Sequence, residues 1–238
     1  MAAETIAPDQ APRWADAPLA SPTYGSAGSK ATVICATSGI AASPAACLAA
    51  VLDPGRYPAW NRFVPRATVL SSPATSAELP PASTPAALLA QPAFRRNTPD
   101  KLLLLGTRVR FEVHMNPGAW AKGVAMTDLE VSVLETFERG GEEGGKKRKG
   151  LRVAWKTQGD PWYLKAERTQ EFLEREDGGT DYVCYETFFG PVAPVVKMVV
   201  GAALLRNFGM WAEDLKRFAE EGVKEEGEGE EEGTGGAQ

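Results

Sequence analysis

Hydrophobic residues recur along this chain with two different periods. Through the centre they alternate. In LLLLGTRVRFEVHM, Val109, Phe111, Val113 and Met115 fall on one face and Arg108, Arg110, Glu112 and His114 on the other, the two-residue repeat of a half-buried strand. VAMTDLEVSVLETFER groups Leu129, Val131, Val133 and Phe137, and LRVAWKTQ groups Leu151, Val153 and Trp155. Two more strands are predicted in YLKAERTQEFLERE and DYVCYETFFG, divided by the turn residues Asp177, Gly178 and Gly179. After Gly190-Pro191 the period becomes helical. Valines crowd the first turns, and Leu204, Phe208, Trp211, Leu215 and Phe218 then recur along one helix that ends near Glu221.

Upstream, ATVICATSGI reads as a strand with Val33 and Cys35 on one face. Ser43-Pro44 supplies a helix cap followed by proline at the first helical position, and AACLAAVLD follows as a short helix. A second short helix or turn is predicted in YPAWNRFV, and a strand in RATVLSS. The order is therefore strand, two short helices, a meander of about six strands, and one long helix. An antiparallel sheet has to cover its apolar face. With one long helix to do so, the sheet must curl around it, which predicts an α+β helix-grip fold. Such a sheet is hard to fill with side chains, so a cavity near the two short helices is expected, apolar and ~300–1,000 Å³.

Three segments lack this periodicity. Residues 1–28 are rich in Ala, Pro and Ser and read as a disordered or loosely docked arm. Residues 73–100 form a Pro/Ala-rich surface insertion within a domain spanning 29–222, with a short helical piece at AALLAQ. Residues 223–238 form an acidic tail that reads as disordered. The tail accounts for most of the net charge of -5, so the folded body is close to neutral. The basic run from Lys146 to Lys149 sits in a Gly/Glu-rich loop and reads as a hairpin tip, so no nucleic-acid partner is expected.

Cys35, Cys47 and Cys184 are odd in number and show no CxxC spacing, which argues against a disulfide framework or zinc site and for a reducing, cytoplasmic setting. No secretory leader is apparent. The apolar run from Val192 to Leu205 is broken by Pro194, Lys197 and Gly201 and falls short of the ~20 residues of a transmembrane segment. His114 is the single histidine, which excludes a histidine metal cluster, and its place on the Arg/Glu face predicts exposure. No phosphate-binding loop pattern occurs. No cofactor or metal is expected, and the oligomeric state stays open.

Three stretches, in this order, resemble the START-like superfamily, also called SRPBCC, of polyketide cyclase/dehydrase-like and lipid-transport proteins. They are AACLAAVLDPGRYPAWNRFVPRATV, WYLKAERTQEFLEREDGGTDYVCYETFFG, and the helix ending in WAEDLKRFAE. The arm, insertion and tail depart from that family's compact pattern. The resemblance implies a helix-grip fold that holds a hydrophobic small molecule or lipid between sheet and helix. It leaves chemistry open, since only some members are enzymes.

The residues offer a polar set for such a site. Glu167, Thr169 and Glu171 look solvated, which turns Arg168 and Gln170 inward. On the next strand Tyr182, Cys184, Glu186 and Phe188 share a face, but Val183, Tyr185 and Phe189 are apolar too, so the inward face is undecided. If Glu186 points in, it lies beside Arg168, because a buried carboxylate is costly unless paired. The pair would then be a satisfied element of the wall, an anchor for a ligand carbonyl or hydroxyl, or a general acid/base at Glu186. The last requires a raised pKa, which a neighbouring arginine opposes. Trp60, Phe63, Phe111, Trp155 and Phe188 are candidate lining, or plain core. Lys197 falls on the Phe208 and Trp211 side of its helix and must bend away, snorkel, or face the cavity. The expected function is binding of a hydrophobic small molecule or lipid. The alternatives are a polyketide-type cyclase or dehydratase using Glu186 and Arg168, and a protein-interaction module with a filled core.

Overall fold

The computed structural model describes residues 6–72, 90, 92–94, 102–116, 123–140 and 147–234. Eight strands form one antiparallel sheet. They are β1 (Arg13–Trp14), β2 (Ser29–Ile40), β3 (Arg66–Ser71), β4 (Arg108–His114), β5 (Val124–Arg139), β6 (Arg148–Thr157), β7 (Lys165–Glu174) and β8 (Thr180–Phe189). Their order in the sheet is β1-β2-β8-β7-β6-β5-β4-β3. Helices α1 (Pro44–Leu52) and α2 (Tyr57–Trp60) follow β2, and α3 (Ala193–Thr234) closes the chain. The curved sheet with one long helix is the anticipated α+β helix-grip fold.

Local chemistry sets the joints. The Ser43 hydroxyl accepts from the Ala46 amide and Pro44 opens α1. The β8–α3 corner turns at Gly190, whose φ is +90° and where a Cβ would stand 2.6 Å from the Tyr163 carbonyl oxygen, so only glycine fits. Leu204, Phe208, Trp211 and Leu215 bury one face of α3 in the core. The buried Asp214 carboxylate, gripped by Arg62 at 2.8–3.0 Å, ties the α2–β3 connection to that helix.

Several elements differ from expectation. Of the two readings of the arm, its described part takes the docked one, more firmly than loosely: β1 pairs with β2, the Ala36 amide bonds to the Gln10 carbonyl, and Trp14 packs against Phe188 and Gly201. Burial of Trp14, together with Tyr24 edge-on to Phe189, offsets the entropy of ordering the segment. The supposedly solvated set on β7 is buried, because the arm and two arginines cover it. Glu167 accepts from the Thr23 amide, the Thr23 hydroxyl and the Ser132 hydroxyl, and Glu171 pairs with Arg139 and Arg152. His114 is buried too, 2.8 Å from Glu112, with its amide bonded to the Phe63 carbonyl and its own carbonyl to Asn207. Lys197 is exposed with its ammonium over Trp14, the snorkelling outcome.

Helix α3 runs on through the acidic segment to Thr234, since extending a formed helix with glutamates and lysine needs no new nucleus. Ala193–Val223 reaches the length and apolar content of a membrane span, longer than the broken run implied; its back face exposes Val195, Met198 and Val199. Most of the insertion, including nearly all of AALLAQ, lies outside the described residues; the turn Pro92–Phe94 buries Phe94 in the core.

Candidate functional site

The inner face of β7 and β8, beneath α3, carries the polar set. On β8, Tyr182, Cys184 and Phe188 belong to the core under the helix, whereas Val183 and Tyr185 join a small cluster with Ala36 and Leu173 on the opposite side. Glu186 therefore faces the helix, as the direct cross-strand partner of Arg168. The face left undecided by the sequence is settled by that outer cluster.

Arg168 is only 5% exposed. Its Nε donates to Cys184 Sγ at 3.3 Å, and its guanidinium lies over the rings of Phe208 (4.2 Å), Trp211 (4.5 Å) and Phe63 (5.7 Å). The aromatic faces stabilise the cation but do not neutralise it. Gln170, two residues on, accepts through Oε1 from the Tyr182 hydroxyl (2.6 Å) and the Trp211 indole (2.9 Å). Arg168 Nη2, Gln170 Nε2 and Trp60 Nε1 have no partner although all three are buried. Buried donors are nearly always satisfied, so three around one indole, that of Trp211, call for an explanation.

The Arg168–Glu186 ion pair does not form. Glu186 is half-buried and takes no hydrogen bond or ion pair among the described residues. Burial pushes its carboxyl up to about 7, with Arg168 pulling the other way and Cys184 adding to the rise. Burial also favours the neutral form of Cys184, but hydrogen bonding from Cys35 and the charge of Arg168 prevail and bring the thiol down to about 6. Cys35, directly opposite on β2, moves up through that same hydrogen bond and burial. Cys47, in α1, is pushed up to about 12 by burial.

The aromatic candidates divide. Trp60, Phe111 and Trp155 join Tyr57 and Trp211 in an edge-to-face cluster with centroids 5.3–6.1 Å apart, which fills the space beneath α2. Phe63 flanks Arg168, and Phe188 sits apart against Trp14. Trp60 stacks on Phe218 of α3, and beyond Phe218 lies an open cleft of about 680 Å³. Its walls are α1, the end of β2, the β7–β8 turn and the last buried turns of α3, and none of the eight anticipated residues lines it. The residues missed by sequence reasoning are Cys184, Tyr182, Phe208 and Trp211. Their signal was positional: Tyr182 and Cys184 alternate with Glu186, and Phe208 and Trp211 sit one helical turn apart. Among the described residues no His, Cys, Asp and Glu cluster is arranged to hold a metal.

No family model matches the chain. It is 28% identical over 183 residues to "Oxopyrrolidines biosynthesis cluster protein O" of Penicillium oxalicum, covering 72% of this chain and 78% of that one. Two solved structures are similar in outline. A hypothetical protein of Helicobacter pylori gives a TM-score of 0.49 at 13% identity, over 79% of this chain and 86% of that one. A Staphylococcus aureus protein of unknown function gives 0.46 at 14%, over 82% and 98%.

Proposed function

We propose that the chain binds a compact, largely apolar molecule between the sheet and α3, with a carbonyl or hydroxyl oxygen of the ligand accepting hydrogen bonds from Arg168 and Gln170. The observation that carries this reading is the pair of buried, unpartnered donors, Arg168 Nη2 and Gln170 Nε2, on one face of β7 against Trp211. A ligand oxygen would satisfy both at once. The cleft of about 680 Å³ is the entrance, and entry requires Phe218 to swing off Trp60. A relative named for oxopyrrolidine biosynthesis supports a ring carbonyl as the polar group, since an oxopyrrolidine carries one.

Tryptophan fluorescence tests this, because Trp60, Trp155 and Trp211 surround the donors. Titration with cyclic ketones and lactams of increasing apolar size gives saturable quenching, and Gln170→Leu weakens it by about tenfold, the equivalent of one hydrogen bond of ~1.4 kcal/mol. A panel in which nothing binds the wild-type chain overturns the reading.

One observation favours a second reading, a polyketide-type cyclase or dehydratase acting at the same face of β7 and β8. With its pKa near neutral, Glu186 both gives and takes a proton at pH 7, beside a cation suited to a developing oxyanion. Turnover of a bound polyketide-like substrate, abolished in Glu186→Gln with binding retained, decides for it.

A further inference from the structure

The buried charge of Arg168 lacks a carboxylate, and the acid that touches it is a thiol. Its Nε reaches Cys184 Sγ, while Glu186, the nearest carboxyl by strand register, forms no hydrogen bond or ion pair with it. A buried cation draws out the ionisation of the acid in contact with it, since an uncompensated charge is costly in a medium of low dielectric. Cys35 stands directly opposite on β2, its thiol pushed up by the hydrogen bond with Cys184 and by burial.

We propose that Cys184 is held as a thiolate by Arg168 and captures an α,β-unsaturated carbonyl compound by conjugate addition. The proposal rests on the Arg168–Gln170 donors being the ligand site proposed above, and it names the class of ligand that the site would retain covalently. The thiolate lone pair forms a bond to the β-carbon. The carbon–carbon π pair shifts towards the carbonyl oxygen, giving an enolate that the unpartnered Arg168 Nη2 receives. A proton then passes from the Glu186 carboxyl to the α-carbon. Bonds, protons and charge balance: Arg168 faces a thiolate before the step and the Glu186 carboxylate after it, so the buried cation keeps one anion throughout. Glu186, opposite Arg168 in the strand register and with its carboxyl raised to about 7 by burial, is placed to supply that proton.

Two measurements test it, with but-3-en-2-one as the electrophile and butan-2-one as its saturated analogue. Ultraviolet thiolate absorbance in the wild type shows one group titrating near pH 6, absent in Cys184→Ser. In Arg168→Met that midpoint moves to about 8.5, and the thiolate fraction at pH 7 falls roughly thirtyfold; Arg168→Lys, which keeps the charge, retains most of it. Mass mapping of the native chain after but-3-en-2-one finds a single adduct, on Cys184, with Cys35 and Cys47 unmodified. A wild-type thiolate appearing only above about pH 8, adducts spread over the three cysteines, or no adduct at all overturns the proposal. Cys184→Ser separates this from the binding reading. If that variant still takes up butan-2-one while the wild type forms no adduct, capture alone has failed; if neither chain binds the ketone, the ligand site itself has failed.

Discussion

Strand β7 carries charge on both faces, and the two faces treat it differently. On the outer face Glu167 receives three hydrogen bonds and Glu171 two arginines. On the inner face, one residue out of step, Arg168 and Gln170 keep donors with no partner, and the facing Glu186 stays unpaired. Both faces are buried, so solvent does not explain the contrast. A fully partnered group fixes structure, as Glu167 fixes the arm. A buried group left open is a cost to folding that persists where something else completes it.

Substitutions on the two faces should therefore separate binding from stability. The largest effect is expected at Arg168→Met. Ligand binding falls by about 100-fold, the loss of a charge-assisted bond of ~3 kcal/mol, whereas the unfolding midpoint changes little, because an apolar side chain replaces a buried arginine–thiolate pair and Cys184 takes up a proton in its place. Isothermal titration and urea unfolding on the same variant check both halves. Glu167→Ala should do the reverse: a stability loss of about 2–3 kcal/mol in urea, earlier proteolysis of the arm around Thr23, and unchanged ligand affinity.

Next comes pH. The Glu186 carboxyl is raised, so the folded state binds its proton more tightly than the unfolded state, and stability falls as pH rises from about 4.5 to about 7. The Cys184 thiol is lowered, so its contribution is absent below about 6 and grows as pH rises towards 9. Thermal unfolding across this range should show a dip near neutrality. Glu186→Gln removes the fall on the acid side, and Cys184→Ser removes the recovery on the alkaline side. Smallest is Ser132→Ala, which takes one of the three donors from Glu167 and should cost about 1 kcal/mol in urea with no change in binding.

Alternation made most strands legible, and helical spacing gave the buried face of α3, because each pattern is local. What escaped was long-range. Glu167 looked solvated because its partner Thr23 lies 144 residues away, in an arm without periodicity. The arm itself orders through scattered contacts, Trp14 against Phe188 and Gly201, Tyr24 against Phe189 and Thr23 on Glu167. The inward face of β8 was ambiguous because Val183 and Tyr185 serve a second, outer apolar cluster. A cavity was expected near the two short helices: the cleft of about 680 Å³ lies against α1, while beneath α2 Trp211 meets Tyr57 and Trp60 and fills the space. Arg168, Gln170 and Glu186 were legible as an inward set. That Arg168 touches Cys184 and not Glu186 depends on side-chain geometry that strand register alone does not supply.

The most direct test of the inner face as a ligand anchor is native mass spectrometry of the chain purified from its own host, wild type beside Arg168→Met. The account predicts a stoichiometric carbonyl-bearing small molecule on the wild type, released on denaturation or retained as an adduct on Cys184, and absent from the variant. An unliganded wild-type mass that stays unliganded after incubation with lipids, ketones and lactams would contradict it.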